Sequence, residues 1–353
     1  MRIAILTNEV NYTCGVTNHL IHLCRGLTES GIKLSVITGG GNGIERLRQT
    51  GTEVYTVKYF HHSERSLIGF IRAVLFLSSY CRSNNIKIVH SHYHYGANIA
   101  QYAKLFAGIK TVQTNHGIIG DQGILKHFNA DRYIAINEHI REYIINNNIA
   151  KDSEIDFIRC GIPIPEHETE KTNDTIRFVF ASRLTTEKGA DTFIKAVSLL
   201  NDSVKSRCEF IMAGEGKDEE YLKKYNSELN AGVNFIGRAD NIYALLENSH
   251  ALIYCSKSLS EGFPAIITEA GATGNIVITT RFRGSEPVLK DGVNCLMYNA
   301  EDSDHLKELI QKIAEDYHKY RQLSSNLFNY IKNNFSISEM ITKHIDLYNK
   351  LIV

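Results

Sequence analysis

The chain lacks most of what would take it out of the ordinary globular class. It has only four prolines in 353 residues and no low-complexity tract, which leaves little room for a disordered tail. Formal net charge is zero, so no overall field draws it to nucleic acid. The seven cysteines (14, 24, 81, 160, 208, 255 and 295) are odd in number and scattered, with no C-x-x-C pair. That argues against a disulfide framework or a cysteine zinc site and for a reducing compartment. No apolar run approaches the ~20 residues of a membrane-spanning helix. Met1 to Thr7 reads as a strand, too short for the core of a signal peptide. The expected location is the cytoplasm, with a peripheral place at the inner face of the cell membrane.

What is present fits two domains of ordinary size. Hydrophobic residues make up 43% and charged residues 22%, enough to fill two cores. Charge is unevenly spread. Residues 1–165 hold 17 Lys and Arg against 12 Asp and Glu, and residues 166–353 hold 22 against 27. A basic first half suggests that it faces something anionic.

Arg2 to Thr7 reads as a buried strand, followed by a polar loop and Cys14-Gly15-Val16. A helix over residues 17–30 follows, with Leu20, Leu23, Cys24 and Leu27 on one face and Gly31 closing it. Lys33 to Thr38 is a second strand. Strand, helix and parallel strand build a doubly wound sheet, whose ligands lie at the C-terminal ends of the strands. The run Gly39 to Gly43 lacks both the G-x-G-x-x-G spacing and a Walker lysine, and reads as a flexible loop.

Residues 65–82 are apolar at helical spacing and carry Arg65, Arg72 and Arg82. This suits either a membrane surface or packing on the sheet, and the strand that follows favours packing. His90, His92 and His94 alternate, and three histidines at that spacing would not share one face if His90 ends the strand; a zinc site is not expected. His116 follows the strand Lys110 to Thr114 and precedes Gly117, at a strand's C-terminal end. The polar stretch 167–174 marks the domain boundary. Expected domains are therefore residues 1–165 and 166–334, with a last helix over 335–353 packing back on the first.

In the second half the strand ending at Ala181 runs into Ser182-Arg-Leu-Thr-Thr-Glu-Lys-Gly189, so Arg183 and Lys188 share one strand-to-helix loop. A planar guanidinium fork and an ammonium point charge make a common pairing for phosphate oxygens. Later, His250 to Cys255 reads as a buried strand, followed by Ser260-Glu-Gly-Phe-Pro-Ala-Ile-Ile-Thr-Glu-Ala270. Pro264 suits a first helical position, and the helix reaches about Gly274. That puts Glu261 at the helix lip and Glu269 about a turn and a half inside. A helix N-terminus attracts anions, whereas two carboxylates would repel a phosphate, so their natural partners are hydroxyls. The combination suits a ligand that is part sugar and part phosphate.

These stretches resemble the retaining GT-B glycosyltransferases of family 4. Arg183 and Lys188 match that family's Arg-x4-Lys-Gly motif, and Glu261 with Glu269 match its two glutamates separated by seven residues. Gly214-Glu-Gly216 resembles its G-x-G loop, Gly237-Arg238 the segment beside the base, and Arg281 to Glu286 with Asp291 to Asn294 its later loop and turn. The likeness is dense over residues 176–300 and looser over 1–165. There Gly15 follows Cys14, where many members have a second glycine, and Asn275 stands where a proline is frequent.

The resemblance implies two Rossmann-like α/β domains facing across a cleft. It also implies retaining, metal-independent transfer of a hexose or N-acetylhexosamine from a nucleoside diphosphate sugar, with a UDP-sugar favoured. No cofactor is expected. Arg183 and Lys188 would hold the diphosphate and Glu269 the ribose hydroxyls. Glu261, with the backbone of Gly262 and Phe263, would meet the sugar, and His116 would lie near it. Gly15 would admit the leaving phosphate, while Gly214, Gly216 and Arg238 would line the nucleotide. Implied partners are the nucleotide-sugar donor and a cell-envelope or lipid-linked glycan acceptor, while the basic first half and the 65–82 segment suggest peripheral contact with an anionic membrane. A nucleotide-sugar 2-epimerase and a non-catalytic nucleotide-sugar-binding subunit are the competing readings. Incubation with donor alone separates the first, since an epimerase needs no acceptor.

Overall fold

The computed structural model describes residues 1–12, 14–117, 129–171, 175–257, 263–282, 284–285 and 287–352. Glu261 and Gly262 lie outside the described residues, as does Glu286. The chain divides into two units, Met1–Ile162 with Phe335–Val353, and Pro163–Asn334.

The first unit is built on seven strands: β1 (Arg2–Thr7), β2 (Lys33–Thr38), β3 (Glu53–Thr56), β4 (Ile88–Ser91), β5 (Lys110–Asn115), β6 (Arg132–Ala135) and β7 (Ile155–Phe157). They pair in the order β3-β2-β1-β4-β5-β6-β7, all parallel. Its helices are α1 (Gly15–Glu29), α2 (Ile44–Arg48), α3 (Leu67–Ser83), α4 (His94–Ala107) and α5 (Glu138–Asn146). Successive residues of a strand face opposite sides, and β1 shows the consequence. Ile3 and Ile5 enter the core shared with Leu20, Leu23, Cys24 and Leu27 of α1. Ala4 and Leu6 enter the core shared with Ala73 and Leu77 of α3 and Ile99 of α4.

Two readings of this half need correcting. The Gly39–Gly43 run is fastened rather than loose: Gly39 N–H donates to Asn8 O at 2.7 Å, Val10 N–H to Gly40 O at 2.9 Å and Gly43 N–H to Val10 O at 2.7 Å. His90 does not end its strand but lies within β4, with His92 beyond it and His94 opening α4.

The second unit has six parallel strands: β8 (Ile176–Ala181), β9 (Cys208–Ala213), β10 (Asn234–Gly237), β11 (Ala251–Tyr254), β12 (Ile276–Thr280) and β13 (Leu296–Tyr298). Their order is β10-β9-β8-β11-β12-β13. Around them stand α6 (Ala190–Ser198), α7 (Asp202–Lys205), α8 (Glu219–Glu228), α9 (Ile242–Glu247), α10 (Ala265–Ala272), α11 (Ser303–Glu315) and α12 (Tyr317–Asn334). Pro264 is the N-cap of α10 rather than its first residue, and the helix stops at Ala272, before Gly274 turns left-handed at φ +72°.

α13 (Ile337–Ile352) belongs to the first unit. The Ser336 hydroxyl accepts the Glu339 N–H at 3.2 Å, capping the helix start. Met340, Ile341, Leu347 and Tyr348 bury against α1, where Gly26 leaves room that a Cβ would take from Ile341.

Both units are doubly wound, and the strand order of each sheet reverses once: between β1 and β4, and between β8 and β11. Ligands of such sheets bind beyond the strand ends at this reversal. The loops that follow these four strands are therefore where to look.

Candidate active site

In the second unit, the loop after β8 carries Arg183 and Lys188. It is held from below by the turn after β9. Ser182 N–H donates to Ala213 O at 3.1 Å, Leu184 N–H to Glu215 O at 3.0 Å, and Asp218 N–H returns to Leu184 O at 3.2 Å. The Asp218 carboxylate accepts Thr186 N–H at 2.8 Å. Contact this close needs glycine. A Cβ on Gly214 would collide with Ser182 O, and one on Gly216 with Leu184 O. Gly214 also sits at φ +141°, a conformation side chains avoid. Its N–H donates to Gly237 O at 2.8 Å, which ties in the end of β10. Gly189, at φ +73°, closes the loop and lies against Cys255 O, where a Cβ would not fit. Lys257 N–H donates to Glu187 O at 2.9 Å. The loop after β8 is thus fastened to Cys255 and Lys257, just beyond β11.

Arg183 is exposed and Lys188 half-buried. Burial lowers the Lys188 pKa, the neighbouring Arg183 guanidinium lowers it further, and Glu187 partly opposes them. Two cations repel across this loop, so an anion binding there relieves a cost the folded chain already carries. Arg238, beyond β10, is exposed and paired with Asp240 at 3.0 Å.

Glu269 is the fifth residue of α10 and only 8% exposed. Burial pushes its carboxyl up to about 7. The buried Tyr243 hydroxyl, itself without a hydrogen-bond partner among the described residues, feels the Glu269 charge. Phe263 lies just before the helix, its ring 6.3 Å from that of Phe282. Asn275 shapes the exit of α10, donating to Leu246 O at 3.0 Å and to the Thr273 hydroxyl at 2.9 Å. The Asp302-Ser303-Asp304 triplet, a pattern that can hold a metal in other settings, caps a helix here: Asp302 accepts the His305 N–H at 3.0 Å.

In the first unit, Gly15 is the exposed first residue of α1. A Cβ there would meet nothing within 4 Å, so the fold itself does not require glycine. His116 follows β5. Its Nε2 lies 2.9 Å from His92 Nδ1, and its ring stands edge-on to His19 at 5.0 Å. Burial, with His344 nearby, lowers the His116 pKa to about 4.

Models of two families match. Glycosyltransferase family 4 covers residues 13–165 and glycosyl transferases group 1 covers residues 165–329. The chain belongs to the group 1 glycosyltransferases. An uncharacterized glycosyltransferase of Methanocaldococcus jannaschii is 26% identical over 63% of this chain, a match that spans 59% of its own length. The gpi3 subunit of the Schizosaccharomyces pombe phosphatidylinositol N-acetylglucosaminyltransferase is 23% identical over 96% of this chain and 78% of its own. The HepE protein of Anabaena in complex with UDP aligns at a TM-score of 0.82 and 17% identity, over 99% of this chain and 100% of that one. This likeness shows a common GT-B fold.

In this glycosyltransferase the second unit brings together Arg183, Lys188, Gly214 and Gly216, while Gly15 and His116 belong to the first unit. Nothing in the local sequence pattern singles out His19 or Asp218. His19 lies on the helical face that also carries core leucines, which hid it among them. Asp218 is one acid in a charged run, and only the fold shows that it accepts the Thr186 N–H. His92 was visible as one of three alternating histidines, but its pairing with His116 depends on β4 and β5 being neighbours.

Proposed function

We propose that this glycosyltransferase moves a hexose or N-acetylhexosamine from a nucleoside diphosphate sugar to a lipid-linked or cell-envelope glycan, with retention at the anomeric carbon and without a metal. The observation that carries the proposal is the loop at the β8–β11 reversal. It fixes two mutually repelling cations, Arg183 and Lys188, on a backbone tied to the neighbouring strand ends. A UDP-sugar is favoured; the UDP bound to Anabaena HepE supports this choice. The phosphatidylinositol in the name of the fission-yeast relative supports a lipid acceptor.

In this reading Arg183 and Lys188 take the diphosphate, which gains charge as the glycosidic bond breaks. Fixed cations aimed at developing charge are an effective form of catalysis, and they supply what a metal would otherwise bring. Glu269 accepts hydrogen bonds from the ribose hydroxyls. Gly214, Gly216 and Arg238 line the nucleotide. Glu261 and the backbone of Gly262 and Phe263 are assigned to the sugar, His116 to the same sugar and Gly15 to the leaving phosphate. A leaving phosphate oxygen takes the acceptor's proton on the face that it vacates, which is what retention requires.

The first unit also offers a surface for a membrane-borne acceptor. The inner face of α3 buries Ala73, Val74, Leu77 and Cys81, while Leu67, Ile68, Ile71 and Leu75 face outward, Leu67 at 76% exposure. α4 adds Tyr102, Leu105 and Phe106. Phe70 joins the two helices, its ring 5.5 Å from that of Tyr102. Arg65 and Arg72 flank the apolar stripe, stacked on Tyr95 and Tyr59. Apolar side chains edged by stacked guanidinium groups suit the interface of an anionic bilayer. No helix among the described residues is long and apolar enough to cross one.

The test is incubation with a panel of nucleoside diphosphate sugars, with and without a lipid-linked glycan extract, followed by NMR of the products. Transfer of sugar from a UDP donor with its anomeric configuration kept is expected, and only when acceptor is present. A sugar altered without acceptor, or transferred with inversion, overturns the proposal.

A further inference from the structure

Five histidines gather near the C-terminal strand ends of the first unit: His19 on α1, His90 in β4, His92 after it, His116 after β5 and His344 on α13. His90 is satisfied, with Nδ1 at 2.7 Å from the Tyr348 hydroxyl and Nε2 at 2.7 Å from the Thr114 hydroxyl. His344 uses Nδ1 on the Met340 carbonyl at 2.8 Å.

His19 and His92 are less well provided, and His344 too keeps an Nε2 with no partner among the described residues. His19 is 6% exposed, and neither of its ring nitrogens has a hydrogen-bond partner among the described residues. His92, 5% exposed, meets His116 through Nδ1 and leaves Nε2 without one. A neutral imidazole carries at least one N–H, and burying a donor with nothing to bond costs about 1–3 kcal/mol. An orphaned group in a native core calls for a missing water or ion.

His19, His92 and His116 can each offer a ring nitrogen within 4.8 Å of the others. With bonds of about 2.0–2.1 Å, a tetrahedral ion holds its ligand atoms about 3.3 Å apart, and small side-chain rotations close the difference. The donor set is three imidazoles with no carboxylate, which suits zinc-class ions and not magnesium or calcium. The other close grouping, Glu9 with His61 and His62, is already satisfied, because Glu9 Oε1 meets His61 Nε2 at 2.9 Å and His62 Nδ1 at 2.7 Å.

We propose that His19, His92 and His116 form a binding site for a zinc-class divalent cation, with three imidazole ligands and the fourth position open. This cation is not a cofactor of the transfer reaction. It competes for His116, so loading the site slows transfer and a chelator restores it. That consequence rests on the donor-site reading above; the binding does not.

The experiment uses the whole chain, stripped of metal and free of any histidine tag, with Co2+ as a spectroscopic probe and Zn2+ affinity read by competition with a chromophoric chelator. One Co2+ per chain is expected, with the intense visible bands of four-coordination and no near-ultraviolet thiolate band. Zn2+ should displace it and millimolar Mg2+ should not. His19→Gln and His92→Gln should each weaken Zn2+ binding by at least about tenfold, since even groups one layer behind a metal cost about that much. His344→Gln should keep it, and circular dichroism establishes that each variant is folded. If one of the two ligand variants does not fold, the other decides. No stoichiometric binding, a thiolate band, or undiminished Zn2+ affinity in the folded ligand variants overturns the site. Zn2+ binding without any effect on transfer would leave the site standing and contradict the assigned role of His116.

Discussion

Leu184 N–H donates to the Glu215 carbonyl at 3.0 Å, so the loop bearing Arg183 and the glycine turn after β9 are held as one piece of backbone. The glycines of that turn are needed by the fold before any ligand arrives. Gly214→Ala meets both a collision with Ser182 O and a disfavoured φ, and should cost about 2–4 kcal/mol in urea denaturation. Gly237→Ala meets only the φ of +66° and should cost about 1–2 kcal/mol. Gly15→Ala meets neither and should leave stability unchanged while weakening donor use. Equal losses at all three positions would mean that the close approach is not what the glycines serve.

The proposed phosphate clamp makes a graded prediction. Lys188 is half-buried beside Arg183, so its truncation to alanine should weaken nucleoside diphosphate binding by about 2–4 kcal/mol. Arg183 is exposed and should cost less, about 1–2 kcal/mol on alanine replacement. Affinity for the bare nucleoside should hardly change in either variant. Calorimetric titration with both ligands checks this, and loss of nucleoside affinity would place these cations elsewhere than on the phosphates.

Glu269 gives the protein a pH signature. Its folded pKa of about 7 stands above the ordinary value of 4.5, so the folded chain holds its proton more tightly. Stability from this group is complete below pH 4.5 and is lost as pH rises through 7, on the order of 3 kcal/mol in all. Glu269→Gln should flatten that slope in urea titrations across the same range. If ribose hydroxyls donate to the ionised carboxylate, as proposed above, nucleotide binding near pH 6 should release a proton. A calorimetric enthalpy independent of buffer ionisation would contradict this.

The outward stripe of α3 and α4 should bind anionic vesicles at low salt and release them at high salt, because the screening length is only about 8 Å at physiological ionic strength. Leu67→Ser with Leu105→Ser should abolish flotation and leave the fold intact, since both side chains are largely exposed. Equal recovery on neutral and anionic vesicles would remove the charge from the account.

Much of this was legible in the sequence because parallel strands buried on both faces read as short apolar runs; Arg2 to Thr7 and Ile176 to Ala181 are examples. The loop cations could be named because they follow such a run directly. β13 is only three residues long and β3 is mostly exposed, so neither carries a strong pattern. What the sequence hides is nonlocal. The fit of Gly214 under Ser182, and the meeting of His19, His92 and His116, depend on strand order and not on spacing along the chain.

The central claim is that one site after β8 and β11 holds a nucleoside diphosphate, with Glu269 on its ribose. Calorimetric titration of the wild type and Glu269→Gln with UDP and with 2′,3′-dideoxy-UDP tests it as a double-mutant cycle. Removing the hydroxyls should weaken binding to the wild type by about tenfold or more, and should change binding to Glu269→Gln little, because the group that met them is already altered. Losses that simply add would contradict the contact, and with it the account of the site.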